Sequence, residues 1–138
     1  MGGNSQTGKM TPSKENYLKV MLGLSGEEGI RSVDIANALG VSKASVSSMM
    51  NVLRDEGYVT KEKYGVVTLT ESGKNVAVNI KRRYEVLKRF LHNVLGVEAG
   101  IAAEDACRME HLISSETADR IDRQLEELSE YQYRTEFL

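Results

Sequence analysis

Apolar positions recur along most of the chain with helical spacing. After Thr11-Pro12, an N-cap followed by proline at the first helical position, Tyr17, Leu18, Met21 and Leu22 form a stripe that predicts a helix of about three turns, stopped by Gly26 and Gly29. Ser32 to Leu39 reads as a short helix with a Ser cap and a stop at Gly40. Ser42 caps a second helix, in which Val46, Met49, Met50 and Leu53 fall at i, i+3, i+4 and i+7 before Gly57. Two short helices joined by a glycine-containing turn are the helix-turn-helix signature. Tyr58 to Lys61 and Val66 to Leu69 then alternate as two strands, which predicts a wing.

Thr70 caps a long helix in this reading. Val76, Ile80, Tyr84, Leu87, Leu91 and Val94 give it one continuous apolar seam up to Gly96. The small N-terminal layer can cover only about half of that seam, so the rest calls for a second subunit or the tail. A short helix is expected from about Ala102 to Ile113, and a last one capped by Ser114 or Ser115 carries Ala118, Ile121, Leu125 and Leu128. Tyr131 to Leu138 shows no clear period. The fold class expected is mainly α: a flexible leader over residues 1–10, a winged helix-turn-helix domain over 11–73 and an all-helical domain over 74–138.

Composition sharpens this picture. A net charge of −2 over 138 residues argues against indiscriminate nucleic-acid binding, but the charge is divided unevenly. Residues 1–30 are neutral, residues 31–91 carry +5 and residues 92–138 carry −7. The middle is an electrostatic footprint for a polyanion, and the tail keeps its own end off one. A chain of this length can bury a sufficient core without staples. Its single cysteine cannot form an internal disulfide. No apolar stretch reaches the roughly 18 to 20 residues that span a bilayer, and there is no hydrophobic signal core, so a cytoplasmic location is expected.

At about 100° per residue, the second helix of the pair buries Val46, Met49, Met50 and Leu53 and turns Ala44, Ser47, Ser48 and Asn51 outward. Small uncharged side chains let a helix approach the major groove closely. Asn51 suits an adenine edge, Ser47 and Ser48 suit either type of edge, and Ala44 suits a thymine methyl. Ser42 and Lys43 at the helix start, with Lys61 and Lys63 in the wing, suit phosphates, and Ser45 completes the expected DNA surface. One domain makes few phosphate contacts, so a two-fold dimer on a palindromic operator is expected. The run Lys81-Arg82-Arg83 is open to two readings, a backbone contact or a solvated face.

Cys107, Glu110 and His111 occupy i, i+3 and i+4, one face of a helix, and offer a thiolate, a carboxylate and an imidazole. That mixture suits Fe(II), Co(II), Ni(II) or Zn(II) better than Mg or Ca, although a lone cysteine is more often a core residue. As an enzyme the pair Cys107 and His111 lacks an orienting third group, an oxyanion loop and a phosphate cradle. No small organic substrate is expected.

The series Glu15-Asn16-Tyr17-Leu18, helix-turn-helix, wing with Leu69-Thr70-Glu71-Ser72-Gly73, long helix and Ala106-Cys107-Arg108-Met109-Glu110-His111 resembles the diphtheria toxin repressor family of iron- and manganese-dependent repressors. The resemblance runs from Met10 to Leu128 and is strongest to the short, two-domain members. It implies a homodimer whose winged helices bind a palindromic operator when Fe(II) or Mn(II) links the first helix to the dimerisation helices. Cys107, Glu110 and His111 match metal ligands, and Asn16 falls where the family has a first-helix ligand. Tyr84, Lys88, Ala103 and Lys19 stand where relatives have a His, an acidic residue, another His and a carboxylate, so a second metal site is not expected. Two outcomes stay open. Either one metal, Fe(II) first and Mn(II), Co(II) or Zn(II) after it, binds Cys107, Glu110, His111 and Asn16, or the dimer has lost metal response and is constitutive or under another control such as thiol redox.

Overall fold

The computed structural model describes residues 9–26, 28–62 and 65–136, with side chains up to residue 131. Helix α1 (Pro12–Leu24) is followed by strand β1 (Ile30–Arg31), α2 (Ser32–Leu39), α3 (Lys43–Asp55), β2 (Val59–Lys61) and β3 (Val66–Leu69). Then come the long α4 (Glu71–Arg89), a π-helical turn (Phe90–Val94), α5 (Ala99–Met109) and α6 (Ser115–Glu136). No helix among the described residues is long and apolar enough to cross a membrane.

The chain divides into two compact units, Met1–Asn79 and Ile80–Leu138, with the division falling inside α4. In the first, Leu18, Met21, Ile35, Val46, Met50 and Leu53 form a core under a three-stranded antiparallel sheet of order β1-β3-β2. The wing register pairs Val59 with Leu69 and Lys61 with Val67. In the second unit Leu87 and Leu91 pack with Ala102 and Ala106, flanked by Tyr84, Met109 and Ile121.

Local signals set most helix starts. Thr11 Oγ1 accepts from the Lys14 N–H at 3.2 Å, Ser42 Oγ from Ser45 at 3.0 Å, Thr70 Oγ1 from Gly73 at 3.1 Å and Ser114 Oγ from Thr117 at 3.1 Å. Ser32 is not a cap: the cap position belongs to Arg31, and the Ser32 hydroxyl donates instead to the Gly65 carbonyl at 3.1 Å. Strand β1 was not expected from sequence. It pairs Ile30 with Val67, and Gly29 permits this because its φ is +88° and a Cβ there would lie 2.5 Å from Val66 Cγ1.

The seam expected along α4 is interrupted. The π turn closes with the Leu95 N–H donating to the Phe90 carbonyl at 3.2 Å, and its extra residue rotates Val94 off the buried face to 40% exposure. The stretch after Tyr131, without apolar period, continues as helix to Glu136.

Candidate nucleic-acid interface and metal donors

The outward face of α3 is as its spacing dictates. Val46, Met50 and Leu53 are buried and Met49 packs against them, whereas Lys43, Ala44, Ser45, Ser47, Ser48 and Asn51 are exposed. Ser42 caps the helix with its lone pairs, and its hydroxyl lies 2.9 Å from Ser45 Oγ, so these two hydroxyls are partly engaged within the helix start. Lys61 ends β2 and sends Nζ to within 2.8 Å of Asn51 Oδ1. Lys63 lies outside the described residues.

Two contacts that spacing could not reveal hold this face in place. Lys14 Nζ lies 2.6 Å from Glu56 Oε1, joining the first turn of α1 to the C-cap of α3, with both side chains nearly buried. Gly73 lies against the Tyr58 carbonyl so closely that a Cβ would sit 2.1 Å from its oxygen, which clamps the start of α4 to the wing. A basic residue third in one helix and an acidic one at the end of another carry no sequence signal of pairing.

In the second unit Ala102, Ala106, Met109 and Glu110 recur at i, i+4, i+7 and i+8, the face that α5 turns inward. Helix α5 ends earlier than expected, at Met109. Glu110 is its C-cap, and the Leu112 N–H turns back to the Met109 carbonyl at 2.9 Å, a tightening that takes His111 out of the helix. Glu110 is fully buried. The Arg83 guanidinium donates to the Glu110 carbonyl at 3.2 Å, and His111 Nε2 lies 3.3 Å from Glu110 Oε1.

Cys107 sits roughly 100° round the helix from the middle of that stripe and is exposed. The convergence of Cys107, Glu110 and His111 expected from helical spacing is therefore only half realised, because the helix ends between them. Among the described residues no three His, Cys, Asp or Glu side chains are gathered closely enough to hold a metal ion.

The Glu110 and His111 pair nevertheless has the separation of two adjacent ligands on one cation, since bonds of about 2.1 Å at tetrahedral or octahedral angles place donors roughly 3.0 to 3.4 Å apart. A carboxylate and an imidazole fit a divalent transition metal. Tyr84 and Lys88 offer no such donors: Lys88 Nζ lies over the Tyr84 ring, 5.6 Å from its centroid. Asn16 is exposed on α1, one residue after the buried Glu15.

Of the basic run on α4, Lys81 and Arg82 lie on an exposed face, as one of the two readings expected, and Arg82 also pairs within the second unit. Arg82 bonds Asp119 at 2.6 Å and Asp122 at 3.0 Å, and these carboxylates, with the first the larger cause, raise its pKa. Arg83 serves Glu110. His92 Nδ1 donates to the Val97 carbonyl at 2.8 Å, closing the bend after the π turn.

Comparison with known proteins places this geometry. The family profile for the iron-dependent repressor N-terminal DNA-binding domain matches residues 9–67, and that for the iron-dependent repressor metal-binding and dimerisation domain matches residues 70–136. An uncharacterised HTH-type transcriptional regulator of Methanocaldococcus jannaschii is 33% identical over 114 residues, covering 81% of this chain and 91% of that protein. The solved manganese regulator SloR is similar at 36% identity with a TM-score of 0.72, over 85% of this chain and 55% of that one. The metal-dependent transcriptional regulator MtsR is similar at 30% identity with a TM-score of 0.73, over the same shares. The chain thus spans about half the length of these solved relatives. These are transcriptional regulators and not enzymes, and with both domain profiles matched in order the chain belongs to the iron-dependent repressor family of metal-dependent transcriptional regulators.

Proposed function

We propose that the chain is a homodimeric, metal-responsive repressor of metal-ion homeostasis that binds a palindromic operator in double-stranded DNA. The observation that carries this is the exposed, uncharged stripe Ala44, Ser47, Ser48 and Asn51 on α3, between Lys43 at its start and Lys61 in the wing. A bare stripe with cations at its edges is what close approach to base edges between two phosphate tracks requires. Ser42 and Ser45 stand at the phosphate end, and Lys63 extends the wing's positive charge. Pairing of two copies is supported by the matched dimerisation domain and by exposed apolar residues of the second unit, among them Leu95 at 59% and Ile101 at 52% exposure. A cytoplasmic setting follows from such a function.

Glu110 and His111 would hold the metal, with Cys107 as a third donor; Fe(II) is the first candidate and Mn(II), Co(II) or Zn(II) the others. The metal would supply a charge that binds these donors together. What the chain itself supplies is a carboxylate kept out of water, an imidazole fixed beside it and the Arg83 clamp on the Glu110 carbonyl, so the pair is preorganised. Coupling to the reading head needs only about 1 to 3 kcal/mol to change operator affinity 5- to 150-fold.

Calorimetric titration of the fully reduced chain with Fe(II), Mn(II), Co(II) and Zn(II) tests the site. One ion per subunit, weakened by His111→Ala and by Cys107→Ala, is the expected result. No heat of binding with any of the four, in a chain that circular dichroism shows folded, would leave constitutive or thiol-controlled DNA binding in its place.

A further inference from the structure

Lys61 was expected on a phosphate and Asn51 on an adenine, yet the two side chains bind each other. Resting on the DNA-reading function above, we infer that Lys61 and Asn51 act as one composite donor pair that reads guanine in the major groove. Both residues are exposed, one on the outward stripe of α3 and the other at the end of β2, with Nζ 2.8 Å from Oδ1. An ammonium group has donors only, so the amide atom facing it must be the carbonyl oxygen, which fixes the orientation of the Asn51 amide. Asn51 is left with its two Nδ2 donors. Lys61 retains two of its three.

That arrangement changes what the pair can recognise. Bidentate reading of adenine asks Asn51 to donate to N7 while Oδ1 accepts from the N6 amino group. Here the ammonium already sits on Oδ1, and it would oppose the adenine amino group donor to donor. Cytosine presents only a donor at the same edge and fares no better, while thymine O4 gives a single acceptor. Guanine presents two acceptors, O6 and N7, which match two adjacent donors, and its edge carries the negative potential that an ammonium favours. The wing thereby contributes to base specificity through a side chain of the reading helix. In a dimer on a palindrome this predicts one guanine per half-site at the Asn51 position.

The test is selection of bound duplexes from a random-sequence pool by the full chain under reducing conditions, run with Mn(II) and with Fe(II), for the unsubstituted chain, Lys61→Met, Lys61→Arg and Asn51→Asp. The expected result is a motif with one guanine per half-site whose preference over adenine falls about ten-fold in Lys61→Met, is kept in Lys61→Arg, and is lost in Asn51→Asp. The rest of the motif should be retained in all four. If Lys61→Met selects the same motif with uniformly weaker recovery and a shallower salt dependence, Lys61 is a phosphate contact and the inference is overturned. A motif in which no guanine responds to either residue overturns it too. Failure of the unsubstituted chain to enrich any sequence is a different result, which removes the DNA-reading function and this inference together.

Discussion

Removing the amine of Lys14, which is nearly buried against Glu56, should strongly destabilise the reading head. Lys14 Nζ and Glu56 Oε1 lie 2.6 Å apart, with side-chain exposures of 12% and 6%. At an effective dielectric constant of about 20 that separation corresponds to an attraction of about 6 kcal/mol. Taking each ion out of water costs several kcal/mol, so the intact pair contributes little net stability. Breaking it is another matter. In Lys14→Met the Glu56 carboxylate stays under α1 without its counter-charge, and its Oε2 is already a buried oxygen with no hydrogen-bond partner among the described residues. The expected loss is about 3 to 5 kcal/mol, or a fall in melting temperature of about 10 to 17 °C for a chain of this size. The double variant Lys14→Met with Glu56→Leu removes both charges and should recover to within about 1 kcal/mol of the unsubstituted chain. Urea unfolding followed by circular dichroism, set out as a double-mutant cycle, measures these differences. A Lys14→Met chain within about 0.5 kcal/mol of the parent, or a double variant no more stable than the worse single one, would refute the reasoning.

Two further outcomes follow from single positions. Gly73→Ala puts a methyl group 2.1 Å from the Tyr58 carbonyl oxygen, backbone against backbone, so the wing must move; a loss of about 2 to 3 kcal/mol is expected in denaturant titrations, and unchanged stability would contradict the clamp. Glu98 caps α5, and the backbone N–H groups of Gly100 and then Ile101 hold its carboxyl below the usual value. Its stabilising contribution is therefore present above the ordinary carboxylate pKa and is lost as pH falls through the lowered one. Glu98→Gln should flatten the acid side of a stability-against-pH curve, and a curve identical to the parent's would rule this out.

Much of the architecture could be read before any coordinates because its signals are local. Thr11, Ser42, Thr70 and Ser114 cap helices within three residues of themselves, Gly40 follows the end of α2 directly and Gly96 comes one residue beyond the C-cap of the π turn. What could not be read depends on remote partners. Strand β1 is two residues long and exists only because β3 lies beside it. The π turn at Phe90 to Val94 leaves no mark in composition, yet it moves Val94 out of the seam. The candidate metal donors show the same division. Helical spacing set Cys107, Glu110 and His111 on one face, but it could not foresee that α5 stops at Met109, with Glu110 buried, His111 beside it and Cys107 exposed. Ser47 and Ser48 were legible from periodicity alone, whereas the bond that redirects Asn51 required the fold to bring β2 beside α3.

In the proposed function, metal binding at Glu110 and His111 governs DNA binding by α3. This coupling is tested most directly by fluorescence anisotropy of a labelled operator duplex, recovered from the random pool, titrated with the reduced chain in the presence of Fe(II) or Mn(II) and again in chelator. Affinity about 5- to 150-fold tighter with metal is expected, and no such difference in His111→Ala. Equal affinity with metal and with chelator in the unsubstituted chain would contradict it.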